Sequence, residues 1–161
     1  MFHGLIRRLP WLIAAGLCAQ LTLANPVQAA PGDFVQVKEL NFVFLHGAGG
    51  HVCSVQVLAD TIMEQIEGYI LDYEKSNPSI RVRVNTLIRC YPNDVDINTW
   101  ANNIGSAIDK HFRNRNNLIL IGHSMGGKAA LYAVARNISG LADKVALVVT
   151  INSPIKSLHQ Y

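Results

Sequence analysis

The apolar run Leu118-Ile119-Leu120-Ile121 ends at Gly122-His123-Ser124-Met125-Gly126-Gly127-Lys128, and a helical pattern of apolar residues follows. A serine with a glycine two residues to either side, between a strand and a helix, spells G-x-S-x-G. This is a strand-to-helix turn so tight that its serine is forced into strained backbone dihedrals. Gly122 and Gly126 are expected there because a Cβ at either position would strike the opposite limb of the turn. The turn lifts the Ser124 hydroxyl above the sheet edge, at the N-terminus of the next helix. Exposed N–H groups and the helix dipole favour a developing negative charge at that point.

The same residues also spell G-x-x-x-x-G-K, the first seven positions of a phosphate-cradling loop. Its eighth position, Ser or Thr for magnesium, is Ala129 here. Such a loop also follows the first strand of its domain, whereas this one comes after two earlier strands. A glycine-rich turn without catalytic use is the third reading.

The order of elements is legible around this turn. Leu40 to Leu45 is a nearly continuous apolar run, as in a strand buried on both faces. Pro31 to Glu39 reads as a lead-in, and His46-Gly47-Ala48-Gly49-Gly50 as a loop. Val55, Leu58, Ala59, Ile62, Ile66, Tyr69, Ile70 and Tyr73 form a helical stripe, stopped by Asn77-Pro78. Ile80 to Cys90 reads as a second strand. Ile97, Trp100, Ala101, Ile104, Ile108 and Phe112 make a second helix, with Asp96 as its cap. Leu118 to Ile121 is the third strand. The stripe from Ala129 to Ile138 is a third helix closed by Gly140, and Lys144 to Ile151 is a fourth strand. Strands joined by helical crossovers give an α/β three-layer sandwich with a central parallel sheet.

The 161 residues allow one domain with a full core, and 50% hydrophobic against 16% charged residues is globular composition. Arg7 and Arg8 carry part of the net charge of +3, and no basic run is interleaved with aromatics, so nucleic acid is not expected as a partner. Residues 1–29 read as a signal peptide: a basic head, the apolar stretch Leu9 to Ala24, and small residues before a cut after Ala29. An uncleaved anchor is the alternative, against which stand Pro10 and a stretch short for a membrane span of about 20 residues. Leu17 occupies the position where lipid attachment at Cys18 would want a small residue. Residues 30–161 are then a secreted or periplasmic domain.

In an oxidising compartment Cys53 and Cys90 can bridge, since Cys53 follows the first strand's loop and Cys90 ends the second strand, its expected neighbour; two buried free thiols are the alternative. Cysteine and histidine spacing suggests no metal site. Asn137-Ile138-Ser139 is a formal glycosylation sequon, relevant only where the exporting cell has that machinery.

A strand ending in His46-Gly47-Ala48-Gly49-Gly50, followed two strands later by Gly122-His123-Ser124-Met125-Gly126-Gly127, resembles the α/β-hydrolase superfamily. It is most similar to minimal bacterial lipases and to esterases that deacylate lipid anchors on proteins. Thr150-Ile151-Asn152-Ser153-Pro154 is similar to the Thr-x-x-(Ser/Thr)-Pro of that lipase group, and the resemblance spans about residues 41 to 155. It implies a partial α/β-hydrolase fold whose four strands correspond to the family's third to sixth, in the spatial order second, first, third, fourth. It also implies that Ser124 attacks a carboxylic ester, with the backbone N–H groups of Ala48 and Met125 as the oxyanion hole. No cofactor is implied. The substrate would be a small-molecule or lipid ester, with transient contact to a lipid surface; the oligomeric state stays open.

The family's chain order is Ser, then Asp or Glu, then His. After Ser124 the only acid is Asp143, before the fourth strand, and the only histidine is His159. Three accounts stay open. The chain is the N-terminal portion of a longer hydrolase, or a non-catalytic relative that binds, or an enzyme in which His159 serves alone as base. Of the other histidines, His123 is expected to point away from the attack face and pack, and His46 to brace its loop through a backbone hydrogen bond. His51 and His111 are expected to face solvent.

Overall fold

The computed structural model describes residues 35–50, 52–88 and 95–155, with the side chains of residues 52 and 53 excepted. The expected signal peptide, the Cys53–Cys90 bridge, His51 and His159 lie outside the described residues or side chains. The elements are β1 (Gln36–Leu45), α1 (Val52–Ser76), β2 (Ile80–Ile88), α2 (Ile97–His111), β3 (Leu118–His123), α3 (Met125–Ala135), a 3₁₀ turn (Ile138–Gly140), α4 (Leu141–Lys144) and β4 (Val145–Ile151). The four strands form one all-parallel sheet in the order β2-β1-β3-β4, the order that the resemblance implied.

The described chain divides into two compact units. Residues 39–59 and 84–155 belong to the unit that carries the elbow, and residues 35–38 and 60–83 to the other. In the first, strand alternation sorts the core into two faces. Val43, Leu45, Leu118 and Leu120 pack with Trp100, Ile104 and Ile108 of α2 and with Ala129, Ala130 and Ala133 of α3. Phe42, Phe44, Ile119 and Ile121, of opposite parity, are equally buried, as are Val55 and Ala59 of α1. A strand buried on both faces needs apolar residues at consecutive positions, which is why these strands read as continuous runs. In the second unit Ile62 and Ile66 are the buried residues of α1, and the Glu74 carboxylate accepts from the Val82 N–H at 2.6 Å.

Two boundaries differ from the sequence reading. β1 starts at Gln36 rather than Leu40. Its pairing with β3 begins only at Asn41↔Leu118, so its first five residues extend beyond β3. Gln36, Val37, Lys38 and Glu39 are exposed or half-buried, and periodicity cannot flag a strand that has no buried face. The helix after the elbow ends at Ala135, earlier than Gly140. Asn137 adopts the left-handed conformation (φ 49°, ψ 38°), which asparagine tolerates, and so stops the helix first; Gly140 (φ 72°) instead precedes α4.

Asp96 caps α2 as expected, accepting from the N–H groups of Asn98 and Thr99 at 2.9 and 3.1 Å and from the Thr99 hydroxyl at 2.6 Å. These bonds, the Thr99 hydroxyl foremost, hold its carboxyl below the usual carboxylate range. The Lys144 ammonium, 2.9 Å away, lowers that of Asp109 in the same way. A depressed native pKa stabilises the fold above the unfolded value, and that contribution is lost as pH falls through the native one. Asp96→Ala should therefore lower the urea midpoint at pH 7, and the gap to the parent should close once both are measured well below the ordinary aspartate value of 3.8. A gap that persists in acid would show that the cap acts by something other than its charge.

Candidate active site

The sheet order fixes where a ligand can approach. The chain leaves β1 toward β2 on one side and returns to β3 on the other, so the loops after β1 and β3 diverge at the carboxyl ends of adjacent strands. In parallel sheets that crevice is where ligands bind. Leu45 pairs with Gly122 and His123 with Ile151, so the ends of β1, β3 and β4 meet at one sheet edge.

Ser124 stands in that crevice with φ 52° and ψ −123°, a conformation open to glycine and strained for any other residue. Its backbone is fixed at both ends. The Ser124 N–H donates to the Ile151 oxygen at 2.8 Å, and the Ser124 oxygen accepts from Gly127 N–H at 3.2 Å and Lys128 N–H at 3.4 Å. The side chain is half-buried at the N-terminus of α3, with Met125 as the first helical residue.

The glycines explain how the turn fits. A Cβ built on Gly122 would lie 2.4 Å from the Gly127 nitrogen, inside the other limb of the turn. One on Gly126 would lie 2.3 Å from the His46 oxygen and 2.7 Å from the Leu45 oxygen. The end of β1 therefore packs backbone to backbone on the first turn of α3. One on Gly47 would lie 2.8 Å from Ser124 Cβ, so the loop after β1 abuts the serine directly. The structure thus brings Ser124, Met125 and the Gly47–Ala48 segment together. Ala48 is exposed, and among the described residues neither its N–H nor that of Met125 donates to an acceptor.

His123 departs from expectation. It is the last residue of β3 and is exposed rather than packed, its Nδ1 3.3 Å from the point a Gly47 Cβ would occupy. Outward residues at a strand's end have no neighbouring layer to pack on. His46 is buried, donates from Nδ1 to the Gly47 oxygen at 2.9 Å, and lies 6.2 Å from the Trp100 ring, tilted. His111 is exposed, as expected. Trp100 is core at 1% exposure, whereas Tyr69 is 36% exposed.

Lys128 is 1% exposed within α3, and Ala129 is fully buried. A phosphate loop needs the lysine reaching out over the cradle, so the geometry does not fit that reading. Asp143 lies two residues before Val145, which pairs with Leu118 at the opposite end of β3 from Ser124. Five strand residues separate the two ends, at least about 16 Å, so Asp143 is out of reach of the serine. Among the described residues no group of three or more His, Cys, Asp or Glu could hold a metal ion, and no helix is long and apolar enough to cross a membrane.

The family model described as the PGAP1-like alpha/beta domain matches residues 36–159. The chain belongs to this family. No curated protein matches it. Among solved structures, an extracellular alpha/beta-hydrolase from a Paenibacillus species, described as sharing structural and functional homology with tobacco salicylic acid binding protein 2, aligns with a TM-score of 0.36 and 18% identity. The alignment covers 71% of this chain and 40% of that one, so this chain spans about two fifths of that structure's length.

Opposite signs are expected at two positions of the PGAP1-like domain. Helix propensity alone would make Gly126→Ala stabilising by about 1 kcal/mol, but the new methyl would strike β1 backbone. The loss should exceed the roughly 1–3 kcal/mol usual for overpacking. Ser124→Gly should instead stabilise: relief of about 1–3 kcal/mol of strain, less about 0.5–1 for glycine's extra unfolded freedom, leaves a gain of about 1 kcal/mol. Urea midpoints at pH 7 check both, and a destabilised Ser124→Gly would refute the strain.

Proposed function

We propose that this chain forms the nucleophile and oxyanion part of an exported serine hydrolase that cleaves carboxylic esters, with lipid or lipid-linked molecules as substrates. The observation that carries this reading is the backbone of Ser124. A non-glycine residue at φ 52°, ψ −123° is a standing cost, and it sits where two loops and a helix N-terminus converge. Strain of this kind concentrates at sites where it serves the chemistry. The PGAP1-like family match supports a hydrolase-type domain, and the finer assignment of activity and substrate is our own.

In this mechanism the Ser124 hydroxyl adds to the ester carbonyl as a base takes its proton. The carbonyl oxygen becomes an anion and receives the N–H groups of Met125 and Ala48. Collapse expels the alcohol, which takes up the proton, and leaves an acyl group on Ser124; water then repeats the sequence to release the acid. The Ser124 N–H has no part in this, since it is bonded to Ile151. The oxyanion donors must come from the next residue and from the facing loop.

Among the described residues, Ser124 has neither a histidine base nor an orienting carboxylate bonded to it. This favours a second reading, a domain that keeps the fold and binds without turnover unless the acid and histidine are supplied from elsewhere. A fluorophosphonate probe separates the two, because labelling requires an activated serine. Under our proposal the complete protein is labelled and hydrolyses p-nitrophenyl esters, and Ser124→Ala loses both by about 10³-fold or more. Hydrolysis that survives Ser124→Ala would refute the assignment.

A further inference from the structure

β4 leaves the sheet through a turn whose shape is set at one residue. Pro154 fixes its own φ and confines Ser153 to extended backbone. The course of the chain after Ile151 is therefore decided at Asn152, which takes φ 49°. Asparagine tolerates this left-handed region better than most side chains do. Among the described residues the exposed Asn152 side chain makes no hydrogen bond, so this position contributes its backbone. The Ile155 N–H donates to the Ser153 oxygen at 2.9 Å and closes the turn. The bend carries Ser153 back onto the first turn of α3, where a Cβ built on Gly127 would overlap its Oγ and lie 3.1 Å from its Cβ. The Ile151 carbonyl, just before the bend, accepts the Ser124 N–H at 2.8 Å, and the Ser153 hydroxyl lies 3.4 Å from the same oxygen. Two left-handed residues that are not glycine, Ser124 and Asn152, are thus joined through one carbonyl.

We propose that Asn152 is a positioning residue whose left-handed backbone seats the β4 exit on the elbow and so holds Ser124 in its strained conformation. The effect on catalysis rests on the serine-hydrolase reading; the clasp itself does not. With Asn152 at an ordinary negative φ, the chain would run on along the direction of β4, and Ser153 would leave Gly127. The Ile151 carbonyl would then lose the packing that aims it at the Ser124 N–H. Among the described residues that N–H has no other acceptor. Release of the exit therefore lets the serine relax, and its hydroxyl loses a fixed direction. Asn152 acts through the backbone of Ile151 and needs no contact with substrate.

Spectra of the labelled chain should show a strong intraresidue HN–Hα cross-peak at Asn152, the mark of positive φ; a weak one would overturn the proposal. Replacements at this position should rank by their ease in the left-handed region and not by side-chain chemistry. Asn152→Ala should speed amide exchange at Ser124 by about fivefold and Asn152→Val by about tenfold or more, whereas Asn152→Gly should leave it within about twofold. Unchanged Ser124 exchange in Asn152→Ala would also overturn it, as would an Asn152→Gly variant that exchanges as fast as Asn152→Ala. If Asn152→Val does not fold, the alanine and glycine variants decide. In ester hydrolysis by the complete protein, Asn152→Ala should lower kcat about fivefold at nearly constant KM, and Asn152→Gly should restore it. A parallel rise in KM would overturn the positioning role. The cross-peak and the exchange rates need no turnover, so a failed clasp is distinguishable from a failed serine assignment, which Ser124→Ala reports.

Discussion

The close approach of two backbones, with no side chain between them, is the constraint on which this site depends. The end of β1 rests on the first turn of α3 at Gly126, and the two limbs of the elbow meet at Gly122 and Gly127. Three consequences follow from those few ångströms. The loop after β1 is held beside Ser124, the helix N-terminus opens toward the same crevice, and the serine has no room for ordinary dihedrals. At Gly122 and Gly126 the missing Cβ removes a contact that no rotamer change could relieve, because the atoms it would meet are main chain.

The strain at Ser124 persists because its surroundings over-determine it. Its N–H is tied to β4 through Ile151, its carbonyl caps two N–H groups of α3, and Ser153 packs against Gly127 from the far side. A few hydrogen bonds of about 1 kcal/mol each suffice to offset a strain of about 1–3 kcal/mol. The β4 exit is therefore part of the elbow's support. The half-buried valines of β4 and the Asp109–Lys144 pair near its start help to hold that exit in register.

Electrostatics at the two ends of the sheet differ in kind. At the amino end, charged and polar groups pair with one another: Arg115 with Glu39 at 3.6 Å, and buried Asn41 with Asn85 and the Asn116 carbonyl, each at 3.0 Å. These close the bottom of the strands and satisfy groups that would be costly to bury alone. At the carboxyl end the polar groups around Ser124 are mostly amides, and amides favour negative charge without carrying a proton. That asymmetry would suit the anion of the proposed mechanism. Under the proposed hydrolase reading, proton transfer is left to a base that the described residues do not bring to the serine.

Composition and periodicity were enough to place all four strands, the three long helices and the elbow, because buried parallel strands and amphipathic helices write their environment directly into residue order. Gly122 and Gly126 were legible for the same reason, since glycines two residues to either side of a serine, between a strand and a helix, mark one tight backbone turn. The early start of β1 was not legible, because its exposed and half-buried first residues carry no burial signal. Nor was the exposure of His123, which depends on which layer happens to reach the end of β3. Sequence by itself determined the layered fold and the strained turn at Ser124, both of which are written in local patterns of residue order. Only the tertiary structure decided that the β1 loop touches that serine and that the exit of β4 ties its backbone through Ile151. Those are distances between segments far apart in the chain, set by how strands align and not by what any one segment contains.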